Sequence, residues 1–304
     1  MRPKSHQVML SAALVLWTLL ATIPAQAEDG KLLLTGGVSS IDGAAGGGLT
    51  PWALTGSYAT TGQVGASVFL TRAKTRDYAL TVQGVAVGWD DRAEVSFAQQ
   101  DLDTGNSLAG LGLPGLHLRQ DIVGLKLRLA GDAVLDSDKL MPQIALGLEY
   151  KVARPGALAP TLFGALGAKR SGTDLYLSAT KLFLAQGVLV NATLRATQAN
   201  QNGLLGFGGA QARRTTWQPE LSLAYLLNQR LAVGAEYRAK PDNLNASVLG
   251  QGALKEDDWL DLFIAWAPGK HLSLTLAWVD LGRIAPAAQP RRQRGAYASA
   301  QFAF

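Results

Sequence analysis

Few residues in this chain have types and spacing that could do covalent chemistry. There is no cysteine, which removes thiolate catalysis, Cys-bound metals and any disulfide framework. Beyond residue 27 the histidines are His117 and His271. A histidine-dependent hydrolase needs a serine and an orienting acid beside it, and no G-x-S-x-G elbow occurs; His271 is the one candidate for such a role. Glu256, Asp257, Asp258 and Asp261 form the densest group of acids. Oxygen ligands so close together could hold Ca²⁺, but the spacing is not that of an EF-hand loop. Arg238, Lys240 and Lys255 lie nearby, so ion pairing at the start of a strand is the simpler reading. Gly43–Gly48 brings glycines close together, yet no Lys-Ser/Thr and no helix pattern follow it as a phosphate loop requires. The expectation is that the protein is not an enzyme and uses no cofactor or metal.

What remains is a set of charged residues of both signs: Lys126, Arg128, Asp132, Glu149, Lys151, Arg195, Glu220, Glu236, Arg238 and Asp261. Their importance depends on the elements that carry them, and those elements read as strands. Leu272, Leu274, Leu276 and Trp278 alternate with Ser273, Thr275 and Ala277; Val123, Leu125, Leu127 and Leu129 alternate with Gly124, Lys126 and Arg128; Ile144–Lys151 and Leu231–Arg238 do the same. A period of two is the strand signature. In these stretches the charges fall on the face opposite the large apolar side chains.

Composition narrows the class. The chain has 304 residues, 48% hydrophobic, 17% charged, with 34 glycines. That excludes a disordered charged chain. A net charge of +5 without a clustered patch is no argument for nucleic acid. Residues 1–27 join a basic start (Arg2, Lys4) to an apolar run over Val8–Leu20 and an Ala25-Gln26-Ala27 site, the pattern of a cleaved secretory signal. Losing Arg2 and Lys4 takes the charge from +5 to +3.

Strands of an exported protein could build a soluble sandwich or a transmembrane barrel. The barrel is favoured by segments of about ten residues, by a second face rich in Gly, Ala and Ser, and by the alternating ending Tyr297–Phe304 with its terminal aromatic. Trp52, Trp89, Trp217, Trp259, Trp266, Trp278, Tyr150 and Tyr237 would form interfacial girdles. The expected fold is an all-β, antiparallel up-and-down transmembrane barrel over residues 52–304. Fourteen strands are predicted, including 52–60 and 161–169, with twelve as the alternative. Counting back from Phe304 puts the gaps 200–214, 240–256 and 282–291 outside the cell, and leaves 101–120 anomalously on the periplasmic side. Residues 28–51 form a Gly-rich segment (Gly36, Gly37, Gly43, Gly46, Gly47, Gly48) that reads as an entry strand or as a plug within the lumen.

The blocks KLLLTGGVSSIDGAAGGGLTPWA (31–53), EYRAKPDN (236–243), EDDWLDLFIAWAPGK (256–270) and VDLGRI (279–284), with the terminal Gln301–Phe304 strand, resemble a family of uncharacterised proteobacterial proteins: a conserved domain of unknown function held to be an outer-membrane barrel. The resemblance implies location in the outer membrane of a Gram-negative bacterium; it supplies no activity and no site residues. The charges above are then candidate lumen-lining groups of a porin-like channel or transporter, since a barrel this wide is not filled by wall side chains alone. The alternative is a structural barrel serving a periplasmic or electron-transfer partner. Expected contacts are outer-membrane lipid and lipopolysaccharide, the latter also through Arg213-Arg214 and Arg291–Arg294, and the barrel-assembly machinery through the Phe304 strand. No nucleic-acid partner is expected.

Overall fold

The computed structural model describes residues 31–34, 36, 38–134 and 140–304. The secretory signal expected at 1–27 and Gly37 lie outside the described residues. Twelve antiparallel strands close into a barrel: β1 (Val64–Thr75), β2 (Ala79–Trp89), β3 (Ala93–Asp103), β4 (His117–Ala130), β5 (Gln143–Arg154), β6 (Ser171–Phe183), β7 (Val188–Thr197), β8 (Thr216–Asn228), β9 (Leu231–Arg238), β10 (Trp259–Gly269), β11 (Leu272–Asp280) and β12 (Arg294–Ala303). Every strand pairs with its sequence neighbour. β12 returns to β1 with Ala298 opposite Arg72, and Phe304 exchanges two backbone hydrogen bonds with Ala66. Closure leaves no open edge, so each wall N–H and C=O has a partner without water.

Alternation sets the two faces. Leu125, Leu127, Leu146, Leu175, Leu221, Leu262 and Leu276 are exposed on the outside, whereas Lys126, Ala145, Asp174, Glu220, Asp261 and Ala277 are buried inside. A water-soluble β-protein would put the leucines inward.

The number is twelve, not fourteen, and both surplus strands have a physical reason. Residues 161–169 follow Pro155 and Pro160 and wind into a short irregular helical turn over Pro160–Ala165. Leu158, Leu162 and Leu166 are buried there at four-residue spacing, which suits a helical turn and not a strand. Residues 52–60 run inside the barrel, and their backbone groups bond to wall side chains instead of to a neighbouring strand. The first wall strand therefore starts at Val64.

Losing 161–169 also removes the anomaly at 101–120. That connection now lies with residues 155–170, 198–215, 239–258 and 281–293 at the end far from the C-terminus. The near end holds Phe304 and the turns at 90–92, 184–187, 229–230 and 270–271. In the first of these Asp90 (φ 55°) and Asp91 (φ 48°) take the left-handed pair that a two-stranded turn with the right twist demands. Trp89, Trp217, Trp266, Trp278 and Tyr150 are exposed on the outer wall, as a girdle requires. Trp52 and Trp259 are buried instead, because one lies in the inner segment and the other faces inward at the start of β10.

Candidate functional site

The lumen is occupied by the Gly-rich segment, which makes a short two-residue ladder of Val38–Ser39 against Ala45–Gly46. Residues 38–57 are buried, and wall side chains from most of the circumference hold them. Ser39 donates to Gln301 on β12, and Gln100 on β3 donates to the Ile41 carbonyl at 2.6 Å. Glu94 on β3 accepts from the backbone N–H of Ala45 and Gly56, while Lys126 on β4 donates to the carbonyls of Ala45 and Leu54 and pairs with Glu94 at 3.2 Å. Thr193 and Ser178 donate to the Pro51 carbonyl. Glu236 on β9 accepts from Leu49 N–H at 2.7 Å, Thr50 Oγ1 and Ser222 Oγ.

The glycines make this approach feasible. A Cβ on Gly47 would sit 2.0 Å from Glu236 Oε1, and one on Gly46 2.2 Å from the Thr50 carbonyl. Gly43 has φ +94° and lies against Ala98, a conformation that side chains other than hydrogen rarely take.

Asp42, at the tip of the segment, is the hub of a buried ionic network. Its carboxylate meets Arg238 at 2.8 Å, Lys151 at 3.2 Å and Arg195 at 3.5 Å. Arg195 also reaches Glu149 and Glu220, both at 2.6 Å, and Lys151 reaches Asp174 at 3.0 Å. The far-end connection then closes over the hub. Asn202 donates to Asp42 at 2.6 Å and accepts from Arg238 and Lys151. Gln201 (φ 43°) and Asn202 (φ 61°) are both held in the left-handed region, a local cost that the surrounding bonds must offset. Gln201 N–H in turn donates to Glu256.

The residues expected to line the lumen are brought together unevenly. Glu149, Lys151, Arg195, Glu220 and Arg238 share the Asp42 network; Lys126 and Glu236 clamp the segment; and Asp261 accepts from the Glu236 N–H. Arg128 and Asp132 pair with each other at 3.0 Å near the near-end rim, where Arg128 also binds Asp91 at 2.5 Å. Asp42, Glu94, Asp174 and Asn202 were missed. Glu94 and Asp174 were detectable, since each lies in strand phase opposite exposed Val95 and Leu175. Asp42 and Asn202 lie in stretches with no period to reveal them.

The acidic group 256–261 disperses. Glu256 pairs with Lys240 at 3.6 Å, Asp257 with Arg283 at 2.9 Å, and Asp258 accepts from Tyr237. Among the described residues no group of acids and histidines is arranged to hold a metal. His271 Nδ1 lies against the Ala303 carbonyl at 2.8 Å, and His117 Nδ1 against Asp101 at 2.5 Å on the outer wall. Lys240 and Glu256, in the connection between β9 and β10, are both buried. Burial pushes the Lys240 ammonium down to about 8 and the Glu256 carboxyl up to about 7, each partly countered by the other. Lys240 sits 4.0 Å from the Trp259 ring centroid, a cation–π contact. Two small apolar cavities of about 30 Å³ lie beside the inner segment and below the Gln201 loop.

Fold and site together define a transmembrane-type β-barrel with a filled lumen. Residues 35–301 match the family described as "Protein of unknown function (DUF3034)", and the chain belongs to that family. No curated protein matches it. Among solved structures it is similar to the NanC porin, at 8% identity and TM-score 0.50, covering 78% of this chain and 98% of that one. It is also similar to the KdgM porin (9%, TM-score 0.48, 78% and 99% covered) and to outer membrane phospholipase A from Escherichia coli (11%, TM-score 0.43, 88% and 98% covered). At 8% identity the likeness to the NanC porin is one of fold, that of an outer-membrane barrel.

Proposed function

We propose that the protein is an outer-membrane channel for small solutes, closed at rest, with the Gly-rich segment as its plug. The near end faces the periplasm, and the longer connections face outward. The observation that carries this reading is the nature of the plug's attachment. Polar and ionic bonds hold it to wall side chains beside the apolar contacts of Ile41, Leu49, Trp52 and Leu54, and water can replace those bonds once the segment moves, which a wholly apolar seal would not allow as cheaply. With the plug displaced, the inward wall keeps Glu94, Glu149, Asp174, Glu220, Glu236 and Asp261 against Lys126, Lys151, Arg195 and Arg238. That excess of carboxylates favours cations.

Planar-bilayer recording tests the reading. The intact chain should be silent or flicker briefly, and a variant lacking residues 31–57 should conduct steadily with a reversal potential shifted toward the cation. Silence from both chains, each correctly folded, would sink it.

A second reading has its own support. The lumen is filled from the far end as well, by Asn202 and its neighbours, so wall, plug and cap form one bonded unit. A structural barrel that serves a periplasmic partner would look like this. It predicts no conductance after plug removal, and co-purification of the partner.

A further inference from the structure

We propose that the outer wall across β12, β1, β2 and β3 is a binding site for one phosphorylated glycolipid of the outer leaflet. The inference rests on the outer-membrane placement above but not on the channel reading.

Three cations gather at the far-end margin of this sector. Arg72 and Lys74 project outward from β1, and Arg294 projects outward from β12, the strand paired with it. Arg294 is engaged by Asp280 at 2.8 Å. Among the described residues no ion pair forms at Arg72 or Lys74. These side chains sit at the upper margin of the apolar band, since Leu70, one outward position nearer the near end, is 55% exposed to the lipid side. Cations at that level meet lipid phosphate groups.

Beside them lies a run of small side chains. β12 presents three successive outward alanines, Ala296, Ala298 and Ala300. Register places Ala296 between Trp278 and Lys74, Ala298 between Leu276 and Arg72, and Ala300 between Leu274 and Leu70. The result is a strip of small side chains one strand wide, flanked on β11 by Leu274, Leu276 and Trp278 and on β1 by Leu70, Arg72 and Lys74. Phe302 closes one end, between Leu272 and Val68. On the opposite side of Arg72 the wall opens into a depression of about 330 Å³. It is lined by Arg72, Thr81, Gln83 and Gln99, with Asp101, Asp103 and His117 at its outer edge. Amides, hydroxyls and carboxylates on a membrane-facing wall suit a sugar headgroup, whose hydroxyls both donate and accept. Arg72 borders both surfaces, so a lipid that carries its acyl chains and phosphates on one sugar can lay a chain along the alanine strip, its phosphate on Arg72 and Lys74, and its sugar in the depression.

The test uses the full chain purified in detergent, with its folded state checked by heat-modifiable migration. Binding of diphosphorylated lipid A is compared with lipid A stripped of phosphate, phosphatidylglycerol and inorganic phosphate. The expected result is saturable binding of one phosphorylated lipid A, with weaker binding of the other three. Arg72→Gln/Lys74→Gln should weaken it about tenfold or more. Ala298→Leu, which fills the strip and leaves the charge unchanged, should weaken it as well. Equal binding of stripped lipid A or phosphatidylglycerol, competition by phosphate alone, or wild-type affinity in either folded variant would overturn the proposal. None of these readouts depends on conductance, so the channel reading stands or falls separately.

Discussion

Asp42 is the residue on which the inner network turns, because it joins the plug to three wall cations. Ion pairs taken wholly out of water add little net stability when complete, but removing one partner from a buried set typically costs about 3–5 kcal/mol. Asp42→Ala would leave Arg238, Lys151 and Arg195 to Glu149, Asp174 and Glu220 on the wall and would remove the carboxylate through which all three cations reach the segment. The variant should lower the unfolding midpoint of the detergent-solubilised barrel and raise hydrogen exchange in residues 38–57. Asp42→Asn, which keeps an acceptor for Asn202 and Arg238, should lose less. Equal behaviour of the wild type and the alanine variant would show that the network is not what holds the plug.

At the scale of elements, the far-end cap and the plug are separable. The cap docks through Gln201 on Glu256, with Lys240 beside it and Arg238 and Asp242 close enough to influence the pair. Both groups are shifted against their charged forms, and this fixes the sign of the pH effect. Burial raises Glu256 from 4.5 to about 7 although Lys240 and the Gln201 N–H pull it down, so the closed far end, which keeps it from water, binds more protons than an opened one across that window and closure weakens as pH rises through it. Lys240 has its docked value lowered from 10.5 to about 8, so docking strengthens as pH rises from about 8. Docking is therefore weakest between about 7 and 8. Hydrogen exchange of residues 198–208, corrected for intrinsic rates, should show a protection minimum there and higher protection at pH 5 and pH 10; flat protection would count against the pair as the latch.

The whole barrel was largely legible, and for a physical reason. A wall strand has only two faces, and β11 writes both in Leu272–Trp278. The inner elements were legible only through what they exclude. Glycines marked Gly43–Gly48 because no Cβ fits against Glu236 or Ala98, but nothing in the sequence says which wall a glycine touches. Residues 52–60 and 161–169 misled because Trp52, Leu54, Leu162 and Leu166 are as apolar as lipid-facing side chains, and burial inside a mouth or lumen selects the same residue types. The closing seam carries a prediction of its own. Phe304 completes the β12–β1 junction through its bonds with Ala66, and a terminal aromatic is the expected handle for the assembly machinery. Deleting Phe304 should reduce the folded protein recovered from outer membranes severalfold, while refolding from urea into detergent changes little. Equal loss in both would assign Phe304 to stability alone.

The plug's anchors also impose an order on folding. Ala45 finds Glu94 at a separation of 49 residues, Leu49 finds Glu236 at 187, and Ser39 finds Gln301 at 262. The segment leaves the ribosome before any wall strand, yet its last ligand belongs to the final one. Contacts so distant in sequence form slowly, because the intervening chain must be ordered first. The segment that seals the lumen is thus early in synthesis and late in place, and its full protection reports that the whole wall has closed around it.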